Sequence, residues 1–152
     1  MKSHTWKRLS TLVVFCVTVL LIVSGASYAQ EKRVIPGPKG LPFSDGIVVG
    51  NTLYIAGQQG IGADGKLATG GIGPETQATL QNVEKVVKEA GFELKDVVAV
   101  TVYLADIKEF SDMNKAYRSV VPDPKPTRAT VQVSGMVNNA RVEISAIAVK
   151  QK

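Results

Sequence analysis

The chain has 152 residues, with 18 Lys and Arg against 13 Asp and Glu, a single Cys and a single His. That length suits one domain with one core and is short for two. A lone Cys excludes an intrachain disulfide framework, and the scarcity of His and Cys removes the usual ligands of soft or borderline metals.

The first segment reads as a leader. MKSHTWKRLS is basic, TLVVFCVTVLLIV is continuously apolar, and SGASYAQ ends in small residues, with Ser27 and Ala29 where a signal peptidase reads. The apolar run falls short of the roughly 18 residues a membrane span needs, so a cleaved secretory signal over residues 1–29 is expected, leaving a domain over 30–152. The expected setting is secreted or periplasmic, with no membrane association once the signal is gone. Cys16, His4 and Trp6 all leave with it, which excludes Ser-His-Asp and Cys-His catalysis in the mature chain. Lys2, Lys7 and Arg8 are three of the 18 basic residues, leaving 15 against 13 acidic, a net charge of +2. Such a charge gives no case for nucleic-acid binding.

EKRVIPGPKGLP, rich in Pro, Gly and charge, reads as an extended arm. IVVGNTLYIAGQ reads as two short strands around Gly50 and Asn51. A helix is expected from about Gly73 to Gly91, with Pro74 and Glu75 in its first turn and Thr76, Leu80, Val83, Val87 and Ala90 as its apolar stripe. DVVAVTVYLAD reads as a central strand. Phe110, Met113, Tyr117 and Val120 or Val121 mark a second amphipathic helix, which PDPKP ends. Two strands joined by SGMVNN finish the chain. The order β-β-α-β-α-β-β, with both helices on one sheet face, predicts an α+β sandwich. Val97, Val98, Val100 and Val102 look apolar on both sides of the sheet, and a chain this small has only copies of itself to cover the second face, so a homo-oligomer is expected.

The glycine clusters Gly57, Gly60, Gly62 and Gly70, Gly71, Gly73 lack both the G-x-G-x-x-G pattern and a following Gly-Lys-Ser/Thr, which argues against nucleotide binding. Two charges stand out in the last strands. Arg128 shares a strand side with Thr130, Gln132 and Ser134, and Glu143 lies opposite the apolar set Val142, Ile144, Ala146 and Ala148. If a hairpin register joins them, both charges share a polar face. A guanidinium there forms a planar fork for a carboxylate, and a glutamate beside it can orient water. The competing reading is a structural ion pair or two solvated charges. Asn114 reads as a polar residue at the core edge, and Tyr103 and Tyr117 as packing aromatics.

LPFSDGIVVGNTLYIAGQ, ETQATLQNVEKVVKEAG, DVVAVTVYLADIKEFSDMNKAYRSV, PTRATVQV and VEISAIAV, in that order and spacing, resemble the RidA/YjgF family of reactive-intermediate deaminases. The resemblance runs from about Leu41 to Val149. It implies a chorismate-mutase-like fold, a homotrimer with ligand clefts between subunits, no cofactor or metal, and hydrolysis of 2-imino acids to 2-oxo acids and ammonia. Matched residue by residue, Arg128 of PTRATV grips the substrate carboxylate and Glu143 of VEIS positions the water. Asn114 of DMNKAY and Gly57 of IAGQ line the pocket. Phe43 stands where many members have Tyr, Thr130 where Cys is frequent and Ala56 where Ser is frequent, so two hydroxyls and a thiol are missing. The alternative these departures suggest is a trimer that binds small oxo acids without turnover. A ribonuclease, as some members have been described, fits poorly with export and the near-neutral mature charge.

Overall fold

The computed structural model describes residues 30–151; the expected leader, residues 1–29, lies outside the described residues. The elements are β1 (Lys32–Pro36), β2 (Ser44–Val49), β3 (Thr52–Gln59), α1 (Ile72–Glu89), β4 (Val97–Leu104), α2 (Phe110–Val120), β5 (Thr127–Gln132) and β6 (Val142–Val149). The six strands form one sheet in the order β1-β2-β3-β6-β4-β5. Helix α1 packs on α2, β3 and β6, so both helices belong to one layer. The expected α+β order is present, with one strand more at its start.

That extra strand corrects the reading of Glu31 to Pro42 as a mere arm. Val34 and Ile35 are β-branched, Ile35 is buried, and the segment pairs antiparallel with β2 until a bulge at Pro36, which has no N–H to donate. A strand contributing one buried side chain from among prolines leaves little periodic trace.

Helix α1 follows its stripe closely. Thr76, Leu80, Val83, Val87 and Ala90 are all buried. It ends in a Schellman arrangement, in which the Phe92 N–H donates to Val87 O and the Gly91 N–H to Lys88 O, both at 2.8 Å. Gly91 sits at φ +74°, where a Cβ would be strained, and buried Phe92 completes the cap. Glu75 does more than favour the positive helix end. It is buried, and its Oε1 accepts the backbone N–H groups of Arg141 at 2.7 Å and Val142 at 3.3 Å, tying α1 to the start of β6.

The last two strands are not hairpin partners. β6 lies between β3 and β4, antiparallel to both, while β5 runs parallel to β4 at the sheet edge. Burial explains the choice. Val142, Ile144, Ala146 and Ala148 are all buried, which needs an interior slot, whereas TRATVQ is exposed along most of its length and suits an edge. The β4-α2-β5 crossover supplies the parallel pair.

The core lies between the helices and the face carrying Leu53, Ile55, Val100, Val102, Leu104, Val142 and Ile144. Full burial of a side chain such as Leu53 or Ile144 contributes about 1.5–3 kcal/mol. Among the described residues the opposite face carries no helix and leaves Tyr54, Val131 and Ile147 exposed. Among the described residues no helix is long and apolar enough to cross a membrane.

Candidate active site

Strand register decides where the two charges go. Arg128 pairs with Val100 and Glu143 with Tyr103, positions an odd number of residues apart along β4. Side chains alternate along a strand, so Arg128 lies on the helix face with Val100, and Glu143 on the open face with Tyr103. The shared polar face expected of a hairpin is therefore not formed. Two strand spacings and three residues put the Cα atoms about 14 Å apart. No ion pair joins them, and each organises its own half of a site.

The first half is built by β5 and α2. An Arg128 Nη donates to Asn114 Oδ1 at 2.7 Å, and its guanidinium carbon sits 4.7 Å from the centre of the Tyr117 ring and 5.7 Å from that of Phe110. Asn114 and Tyr117, three apart on α2, present their side chains along one face, while Phe110 begins the same helix. The rings attract the cation through their π faces, and this contact explains why Phe110, on the apolar stripe, remains partly exposed. No carboxylate among the described residues forms an ion pair with Arg128. The guanidinium is oriented, exposed and without a counter-anion among the described residues. Thr130, two residues on, shares its side of β5, and the Thr130 and Tyr117 hydroxyls are buried with no hydrogen-bond partner among the described residues. Burial pushes the Tyr117 phenol above its ordinary pKa, and the Arg128 charge partly opposes that rise.

The second half lies on the open face. Gln59, Glu143, Tyr103 and Val131 form one cross-strand row over β3, β6, β4 and β5. Beside it a cleft of about 360 Å³ is lined by Gly57, Tyr103, Met136, Val137, Glu143 and Ser145. Glu143 Oε2 accepts from Gln59 Nε2 at 2.8 Å. Gly57 lies where β3 bulges against β6, and a Cβ there would overlap Glu143 Oε1 and come within 2.8 Å of its Cδ. Glycine at 57 is thus needed to admit the carboxylate.

Of the residues expected in the site, Arg128 and Asn114 meet, Thr130 lies beside them on β5, and Glu143 and Gly57 meet on the other face. Phe43 comes immediately before β2, at the sheet end where β3 delivers Gly57, and half its surface is exposed. Gln59 escaped the sequence reading, because a glutamine in AGQQG carries no local signal of its partner 84 positions later. Tyr117, expected as a packing aromatic, is buried in the core and also supports Arg128. Among the described residues no cluster of three or more His, Cys, Asp or Glu side chains could hold a metal.

The chain is similar to known proteins in sequence and in fold. The family described as Endoribonuclease L-PSP matches residues 36–150. A 2-iminobutanoate/2-iminopropanoate deaminase of Bos taurus is 41% identical over 110 residues, 72% of this chain and 80% of that protein. A RutC family protein of Pyrococcus abyssi is 39% identical over 117 residues, 76% of this chain and 91% of that protein. Among solved structures, RidA from an Antarctic Psychrobacter superposes with a TM-score of 0.71 at 30% identity, covering 80% of this chain and 98% of that one. The YjgF product of E. coli gives a TM-score of 0.73 at 26% identity, covering 78% and 99%. The sequence from β1 through β6, the six-stranded sheet and the helix layer together make this chain a member of the RidA/YjgF family, the Endoribonuclease L-PSP family.

Proposed function

We propose that this protein is a hydrolytic deaminase of 2-imino acids, acting at a site assembled between copies of the chain. The observation that carries the reading is Arg128, oriented by Asn114, backed by two aromatic rings, and without a carboxylate partner among the described residues. A planar guanidinium held open in this way matches the carboxylate of a 2-imino acid. Glu143 lies on the other face of its own chain, so a second copy supplies it. The bare sheet face with exposed Tyr54, Val131 and Ile147 supports such association, and three copies in a ring give three equivalent interface clefts.

The chemistry asks little of the chain. The imine carbon is already electrophilic. Arg128 holds the carboxylate, and Glu143 accepts a proton as its water adds to C2. Glu143 passes that proton to the nitrogen, then the C2 hydroxyl proton of the resulting carbinolamine as ammonia leaves, and the 2-oxo acid remains. No imidazole, thiol or metal is required. Relatives named 2-iminobutanoate/2-iminopropanoate deaminase support this reading. Among the described residues the cleft beside Glu143 has no Lys or Arg in its lining and is a poor match for a phosphodiester backbone.

The test couples an amino-acid oxidase to the purified protein and follows imine decay with a semicarbazide trap. Acceleration over buffer, abolished by Arg128→Ala, supports both the hydrolase and the clamp. Decay at the buffer rate across several amino acids would leave a carboxylate-binding trimer in its place. We propose in addition that residues 1–29 are a cleaved export signal, which would set the reaction in a secreted or periplasmic compartment; N-terminal sequencing of exported protein checks it.

A further inference from the structure

We propose that Gln59 is a positioning residue that fixes the Glu143 carboxylate for water activation and couples it to the loop over residues 134–140. The proposal rests on the hydrolase reading above and adds a residue to it. A carboxylate on a bare sheet face is free to rotate about its side-chain bonds, and a water-orienting acid cannot be. Gln59 removes that freedom. Its Nε2 donates to Glu143 Oε2 at 2.8 Å, while the Gly57 backbone closes on the other side of the carboxylate. Oε1 is then the oxygen with no donor among the described residues, and it is the one left to receive a proton from water.

The amide of Gln59 is itself oriented. Nε2 also donates to Val137 O at 3.1 Å, and Oε1 accepts from Asn138 Nδ2 at 3.1 Å. Turning the amide over would set its oxygen against a carboxylate and a carbonyl, and its NH₂ against another NH₂. Asn138 and Asn139 sit at φ +62° and +55°, a backbone that asparagine tolerates better than most residues. That shape turns the Val137 carbonyl and the Asn138 amide toward Gln59. From the helix layer, Asn82 Nδ2 donates to Gln59 O at 2.7 Å and to Ile61 O at 2.9 Å, anchoring the end of β3 to α1. The carboxylate is therefore held through one glutamine by both a helix and a loop.

The test compares the unaltered protein with Gln59→Met, Asn138→Gly, which keeps the positive φ, and the double variant, using steady-state imine hydrolysis and calorimetric binding of 2-oxobutanoate. Gln59→Met, of similar length but without the amide, is expected to lose about 100-fold in kcat, the scale of an ångström of misplacement. Binding of 2-oxobutanoate, held by Arg128, stays within about twofold and the melting temperature changes little. Asn138→Gly costs about tenfold alone and nothing further in the Gln59→Met background, because it acts through the same amide. Retained kcat in Gln59→Met, additive losses, or a parallel fall in binding or melting temperature would overturn the proposal while leaving the hydrolase reading intact. An unaltered protein without turnover overturns the hydrolase reading, and this proposal with it.

Discussion

Arg128 and Glu143 stand on opposite faces of one sheet because they pair with Val100 and Tyr103 of the intervening strand. Within one chain they cannot grip the same small molecule. If the site is shared between copies, Arg128→Ala and Glu143→Ala will each be inactive alone. Refolded together from equimolar unfolded chains, they will regain activity at about one site in four, since random mixing restores an intact pair there. A site contained within one chain would show no recovery. The assay is imine hydrolysis of the mixture against each variant refolded separately.

Gly57 separates stability from function. Its φ lies outside the left-handed region, so alanine fits the backbone, and the obstacle is the end of the flexible Glu143 side chain. The carboxylate can move aside cheaply. Gly57→Ala should therefore alter stability by less than about 1 kcal/mol, because the strand loses no glycine-only conformation. It should lower kcat by about 100-fold, because the water-orienting acid is displaced. Denaturant melts and kinetics on one preparation decide it, and unchanged kcat would remove Glu143 from the reaction.

Glu75 predicts the reverse pattern. Its carboxylate caps two backbone N–H groups at the start of β6, and Glu75→Leu leaves both without that acceptor, the Val142 N–H buried and the Arg141 N–H partly so. The expected loss is about 3 kcal/mol, the scale of stranding buried donors. Urea denaturation measures it, and a loss below about 1 kcal/mol would show that other groups satisfy Arg141 and Val142.

The elements differ in how far their own residues announce them. The α1 stripe and the alternation in VEISAIAV are local patterns, and each residue's burial follows from its period. Strand β1 buries one side chain among prolines, too little for a pattern. The pairing of β6 with β3 and β4 is settled by competition among strands distant in sequence, which local alternation does not encode. The same limit hid Gln59, whose partners Glu143, Val137 and Asn138 come from segments about eighty residues away. Arg128, Asn114, Glu143 and Gly57 enter the candidate site chiefly through the family resemblance, since sequence alone permits an ion pair that the strand register forbids.

Tyr117 offers a pH test. Its hydroxyl is buried without a partner among the described residues, and burial raises its pKa above the ordinary value of 10.0 while Arg128 opposes the rise. Below about pH 10 the phenol is protonated in both the folded and unfolded chain, so it adds no pH dependence there. As pH rises past that point the unfolded chain gives up the proton first. It then binds fewer protons than the folded chain, and stability falls until the folded pKa is passed. Tyr117→Phe should remove that part of the alkaline slope. At neutral pH it should gain up to about 1 kcal/mol by deleting an unpartnered buried hydroxyl, while keeping the ring beneath Arg128. Denaturation curves for both proteins between pH 7 and pH 11 provide the comparison. Parallel curves at every pH would show that the phenol is solvated in the folded state.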